Sequence, residues 1–142
     1  MLPREIRWVI EGVLASSGRP GFPNHSVSTK AVDQWIARID RLGVRSVICM
    51  LSEDEEAVYY RRLRQSLVDC YSEAGLQVRQ VSYEDMGVAV TLPILVDRVL
   101  TAFAILPKPV LVHCSAGVER SQLATESICH AWNSAKIHQT FT

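Results

Sequence analysis

The stretch Val110-Leu-Val-His-Cys-Ser-Ala-Gly-Val-Glu-Arg-Ser121 holds the residues whose types and spacing can do chemistry. Val110 to Val112 reads as a short buried strand that ends in His113 and Cys114, and a helical pattern begins at Ser121. A strand, a tight loop and a helix N-terminus, in that order, build an anion site. Successive backbone N–H groups point inward and the helix dipole adds partial positive charge. Cys114 stands at the mouth of that site and Arg120 at its far end, with five residues between them. The thiolate is the nucleophilic form of cysteine, and cationic surroundings favour it. Arginine offers a planar fork that matches phosphoryl oxygens. Ser115, Ala116, Gly117, Val118, Glu119 and Arg120 are the stretch expected to bind substrate, with Gly117 where the backbone must turn tightly. Together these groups suit phosphorus as the atom attacked.

His-Cys-x5-Arg-Ser, here His113 to Ser121, is the signature loop of the cysteine-dependent protein tyrosine phosphatase superfamily, which the chain resembles. More closely it looks like the small dual-specificity branch, although rhodanese-like phosphatases share the bare Cys-x5-Arg spacing. The N-terminal run Trp8-Val-Ile-x-Gly-x-Leu-Ala-x-Ser-x-Arg-Pro20 is similar to the opening segment of that branch. The resemblance implies hydrolysis of phosphotyrosine and of phosphoserine or phosphothreonine through a cysteinyl-phosphate, with no metal and no cofactor. In it Cys114 attacks, Arg120 binds the equatorial oxygens, and the Ser121 hydroxyl donates to the Cys114 sulfur. His113 stays outside the pocket and orients the loop. The family supplies an Asp general acid about thirty residues before the cysteine. Asp85 lies 29 positions ahead of Cys114, with Glu84 beside it as the alternative. Arg19 either lies near the mouth of the site, as in the resemblance, or is an ordinary solvated loop arginine. The partner is a phosphoprotein or a small phosphomonoester.

Tyr83-Glu84-Asp85 is not the Trp-Pro-Asp loop of the large tyrosine-specific enzymes, which argues for a shallower pocket admitting all three phosphoresidues. Glu119 and Gln122 depart from common residues in the family loop. Glu119 pointing inward would repel phosphate, and an outward Glu119 is the expectation. The lysines that phosphoinositide-specific relatives carry here are missing. The chain also ends soon after the signature helix, where relatives continue for one or two helices. Glu119, Gln122 and the short C-terminus keep a second reading open, a non-catalytic phosphate-binding module; a third, a nucleotide or RNA 5′-phosphatase, would use the same loop. His113-Cys114 and Cys129-His130 lack the ligand spacing of a zinc finger.

These groups need a scaffold. At 142 residues the chain suits a single phosphatase-like domain over 1–142. Its formal charge is balanced, which favours neither nucleic acid nor an acidic membrane surface. It shows no apolar run of membrane-spanning length and no secretory-signal layout. Cys49, Cys70, Cys114 and Cys129 are widely spaced, which suits free thiols in the cytoplasm; a Cys114 disulfide with Cys49 or Cys70 stays open.

Two short apolar runs around Gly12 suggest a strand pair, and 18–28 is loop. Ser28 is placed to cap a helix over Thr29–Leu42, and Val44–Leu51 reads as a buried strand. Ser52-Glu-Asp-Glu55 is a capping-box pattern opening a helix to about Ala74. Its Arg61-Arg62-x-Arg64 cluster is either an anion patch or, as expected here, a solvated face paired at i,i+4. Leu76–Val81 alternates like a half-buried strand, and 81–87 is a strand-end loop. Thr91 caps a helix turning Ile94, Leu95, Val99, Leu100 and Phe103 inward. The last helix is expected over Ser121–Trp132, leaving 133–142 as a weakly periodic, flexible tail. Strands alternating with helices predict an α/β fold, with a mainly parallel central sheet of four to five strands flanked by helices on both faces.

Overall fold

Apolar runs that do not alternate require cover on both sheet faces, and that is how the chain folds. The computed structural model describes residues 5–85, 88–115, 117 and 119–140, and of Asp85, Val88 and 136–140 the backbone alone. In chain order come β1 (Arg7–Ile10), β2 (Leu14–Ser17), α1 (Thr29–Arg41), β3 (Ser46–Cys49), α2 (Glu53–Tyr59) and α3 (Leu67–Glu73). They are followed by β4 (Gln77–Gln80), β5 (Glu84–Asp85), β6 (Val88–Ala89), α4 (Leu92–Ile105), β7 (Val110–His113) and α5 (Glu119–Thr140). The five-stranded sheet runs β1-β2-β7-β3-β4, with β2, β7, β3 and β4 parallel and β1 antiparallel at one edge. The signature strand β7 is therefore central, and the mainly parallel α/β architecture is as expected.

Side-chain alternation divides the core. Leu14, Ile48, Val110 and Val112 pack with Leu95, Val99 and Phe103 of α4 and with Ala124 and Ile128 of α5. Ala15, Val47, Cys49 and Leu111 pack on the other face, with Val32, Trp35 and Ile39 of α1 and Leu67 and Tyr71 of α3. Cys114 belongs to the first face, Cys49 and Cys70 to the second. The sheet thus separates Cys114 from both candidate disulfide partners, and all four cysteines are free.

Four expectations about elements are corrected. The helix drawn from Glu53 to Ala74 is two, α2 and α3. No Pro or Gly marks the break. Buried Tyr60 instead ends α2 with its O–H on Pro20 O, and Ser66 starts α3 by accepting from Asp69 N–H. In that break Arg61 and Arg62 are exposed, as a solvated face requires, and donate to the carbonyls of His25 and Ser26 rather than to i,i+4 carboxylates. Ile94 is 48% exposed, because it sits about 100° off the stripe of Leu95, Val99, Ala102 and Phe103. Thr91 does hold the N-cap position of α4, as expected, though without a side-chain bond. Finally, α5 does not stop at Trp132. Its backbone is helical to Thr140, through Asn-Ser-Ala-Lys, which contains no breaker. Among the described residues, no helix is long and apolar enough to cross a membrane.

Candidate functional site

The parallel strands end together, and the signature loop leaves β7 at their carboxyl edge, where open α/β sheets place ligands. Cys114 is the first residue past β7 and is 3% exposed. Gly117 is buried with φ 81°, a left-handed conformation that a side chain would strain. Ala116 and Val118 lie outside the described residues. Ser115 is half-buried, and its carbonyl accepts the Arg19 N–H at 2.8 Å. Glu119 is exposed as the first residue of α5, where an acid complements the helix dipole. Gln122 is also exposed and donates to Glu126.

Arg120 is held from two sides. Nη1 donates to Met50 O at 3.0 Å and to Glu55 Oε1 at 2.6 Å, while Nη2 donates to Glu55 Oε2 at 2.9 Å. A guanidinium has five N–H groups in a rigid fork. The two on Nη1 and one on Nη2 are used, which leaves Nε–H and the second Nη2–H on one edge. That edge is the fork a tetrahedral anion needs. The Glu55 carboxylate raises the Arg120 pKa further, against a smaller opposing effect of burial. Burial lifts the Glu55 pKa, but the Arg120 bond and the Ser52 N–H outweigh it, leaving Glu55 below its ordinary value.

Glu55 is the site residue that sequence reasoning did not single out. The capping box is present, with Ser52 Oγ accepting from Glu55 N and Glu55 Oε1 accepting from Ser52 N. The same Oε1 also receives Arg120. One residue therefore caps α2 and aims the arginine. Its signal was the acid placed just after a buried strand that neighbours β7, but the capping pattern accounted for it fully.

His113 is fully buried and lies at the centre of a polar chain. Trp35 Nε1–H donates to Tyr71 Oη at 3.1 Å, Tyr71 Oη is 2.9 Å from His113 Nε2, and His113 Nδ1 is 3.4 Å from Cys114 O. An indole N–H only donates and a carbonyl only accepts, which fixes the direction throughout. His113 carries its proton on Nδ1, and Tyr71 O–H donates to Nε2. Burial is the main cause that lowers the His113 pKa from 6.5 to about 4, with the Arg19 charge acting the same way and the Cys114 carbonyl bond opposing. His113 is thus neutral and occupied at both nitrogens, an orienting group rather than a base.

That shift has a stability consequence. Folded His113 binds its proton more weakly than the unfolded chain does, so its neutral state costs nothing above about pH 6.5. Stability is lost as pH falls from there toward about 4. The loss from this group is about 2 kcal/mol between about pH 7 and about pH 5. Urea unfolding at the two pH values, with wild type compared against His113→Asn, should show the variant losing less on acidification. Equal losses would remove His113 from the acid sensitivity.

Ser121 is buried, and its Oγ has no hydrogen-bond partner, so the expected bond to the Cys114 sulfur is not formed in this structure. Asp85 lies in β5, which pairs with β6 in a short hairpin rather than a plain loop; its side chain lies outside the described residues. Neighbouring Glu84 is exposed, and its carbonyl accepts from Ser82. Tyr83, just before the hairpin, packs on the same core cluster as Cys114 and raises the Arg120 pKa, so this segment lies beside the signature loop. Arg19 is 2% exposed and is not a solvated arginine.

No known family profile and no curated protein matches the sequence. Solved structures do match its fold. One is a glycine-to-alanine mutant form of Tk-PTP, a protein tyrosine phosphatase, with TM-score 0.54 and 17% sequence identity, covering 84% of this chain and 67% of that one. At that identity the likeness is one of fold. The chain has a protein-tyrosine-phosphatase-like α/β fold, with Cys114 and Arg120 at the two ends of the loop that follows its central strand.

Proposed function

We propose that the protein is a cytoplasmic phosphatase that hydrolyses phosphomonoesters, phosphotyrosine and phosphoserine or phosphothreonine among them, through a cysteinyl-phosphate. The observation that carries the reading is the open side edge of Arg120, held by Glu55 and Met50 at the end of a loop that begins with Cys114. The exposed position of Glu119 supports it, because the acid is solvated.

In the first step the Cys114 thiolate attacks phosphorus, an S–P bond forms and the ester P–O bond breaks. Asp85 gives its proton to the departing oxygen. Arg120 and the loop N–H groups stabilise the charge on the equatorial oxygens. In the second step water attacks phosphorus, Asp85 takes the water's proton, and the S–P bond breaks to release phosphate and thiolate. Ser121, whose hydroxyl is uncommitted, would donate to the sulfur as it leaves. A phosphate-binding module without turnover is the second reading, favoured by that same unformed Ser121 bond.

Phosphate release from a panel of an aryl phosphate, phosphopeptides, nucleotides and inositol phosphates tests the assignment. Turnover of the aryl phosphate and phosphopeptides is expected. Binding without phosphate release from any member would favour the second reading. For Asp85→Asn, kcat should fall roughly 10²-fold with an aryl phosphate and further with an alkyl phosphate, whose leaving oxygen is more basic. The fall in rate on the alkaline side should also disappear. If Asp85→Asn keeps its rate and Glu84→Gln loses it, the acid is Glu84.

A further inference from the structure

Arg19 follows β2 by two residues, and its guanidinium is carried into the interior. The Tyr59 ring lies 3.7 Å from its carbon and the Phe22 ring 5.6 Å. Nη2 donates to Asn24 O at 2.7 Å. Nε and Nη1 are buried without a hydrogen-bond partner, and no carboxylate pairs with the group among the described residues. A buried cation that meets no carboxylate among the described residues, only the Asn24 carbonyl, two rings and the nearby Tyr60 hydroxyl, is costly, so its retention calls for a role.

The main chain of the same residue supplies the connection. Ser17 pairs in register with His113, and past the end of the sheet the Arg19 N–H donates to Ser115 O at 2.8 Å. One residue therefore bonds the signature loop through its backbone, the 18–27 loop through Nη2, and the end of α2 through the stacked ring. Those neighbours are themselves fixed. Tyr60 O–H donates to Pro20 O at 2.8 Å and Val27 N–H to Tyr59 O at 2.9 Å. Gly21 has φ 79° and lies so close to Val27 that a Cβ would come within 2.6 Å of it. A trans peptide points its C=O and N–H opposite ways, so a carbonyl held on the outside of a loop favours N–H groups on the inside.

We propose that Arg19 is a positioning residue of the signature loop, clamping the Ser115 carbonyl outward so that the loop is shaped for a tetrahedral anion before one binds. Its buried cation adds to the potential that attracts the anion. The inference rests on reading that loop as an anion site.

Tungstate, an inert tetrahedral anion, is the probe, titrated calorimetrically into Cys114→Ser protein so that no turnover intervenes. Arg19→Met keeps the apolar stem and removes the charge and fork. Its tungstate affinity should fall roughly tenfold or more, while the protein still melts cooperatively. Arg19→Lys, which restores the charge, should recover part of the loss. A cooperatively folded Arg19→Met with unchanged affinity overturns the proposal, because a merely structural residue would move the melting temperature alone. If Arg19→Met does not fold, Tyr59→Leu gives the reading, since it removes the ring under the guanidinium and keeps the charge. Weaker tungstate binding by Tyr59→Leu supports the clamp, and unchanged binding overturns it. A parent protein that binds no tungstate overturns the anion-site reading and the clamp together. A binding parent with unaffected variants removes only the role of Arg19.

Discussion

Cys114→Ser should lower the hydrolysis of p-nitrophenyl phosphate by a factor on the order of 10⁴ or more, below detection in an ordinary assay. Oxygen for sulfur is a small change in volume at a site 3% exposed, so the fold should persist. The chemistry should not. A serine hydroxyl needs a neighbouring base to become a nucleophile, and the adjacent imidazole cannot serve as one. His113 Nε2 already accepts from Tyr71, and Nδ1–H is turned to the Cys114 carbonyl. Its pKa, lowered to about 4, also makes it a weak proton acceptor. The variant should still bind a tetrahedral anion, since the Arg120 fork and the loop N–H groups are untouched. Near-normal turnover by folded Cys114→Ser would exclude a cysteinyl-phosphate mechanism.

Arg120→Lys should cost nearly as much, a factor of roughly 10³ in kcat/KM. The charge is kept, so the loss reports on geometry. An ammonium is a point charge and cannot hold Glu55 with one edge while offering a second edge to phosphoryl oxygens. In the native arrangement Arg120 makes three bonds to Met50 O and the Glu55 carboxylate, and its remaining donors share one side. Stability should change little, because Glu55 is 28% exposed and water can replace the lost partner. The measurement is kcat and KM for an aryl phosphate alongside a thermal melt. A variant with unchanged kcat/KM would show that the fork does not meet the reacting phosphoryl group, and a large drop in melting temperature would place Arg120 in the fold instead.

The central strand, its loop and α1 were legible because each carries a local pattern. Val110–Val112 is an uninterrupted apolar run, Ser28 accepts from Ala31 N at the cap of α1, and Cys114 and Arg120 keep a fixed spacing. What was missed depends on contacts far apart in sequence. The break between α2 and α3 is set by Tyr60 reaching Pro20, forty positions away. Glu55 meets Arg120 across 65 positions, and nothing near either residue announces the other. Arg19 stood between a place near the mouth of the site and an ordinary solvated loop arginine, since only the fold shows that its side chain has left solvent. The extension of α5 to Thr140 was hidden for a different reason. Residues 133–135 are exposed, so they carry no apolar stripe to read.

Met50 holds the loop in shape from both of its ends. Its N–H donates to His113 O at 2.8 Å, and its C=O accepts from Arg120 at 3.0 Å. A single residue just past β3 thus grips the chain just before Cys114 and the side chain that arrives after the turn. It acts as a calliper whose jaws are backbone atoms of fixed separation. Side-chain scanning would pass over such a device. Met50→Leu leaves both jaws in place, whereas Met50→Pro removes the N–H and frees one end of the loop.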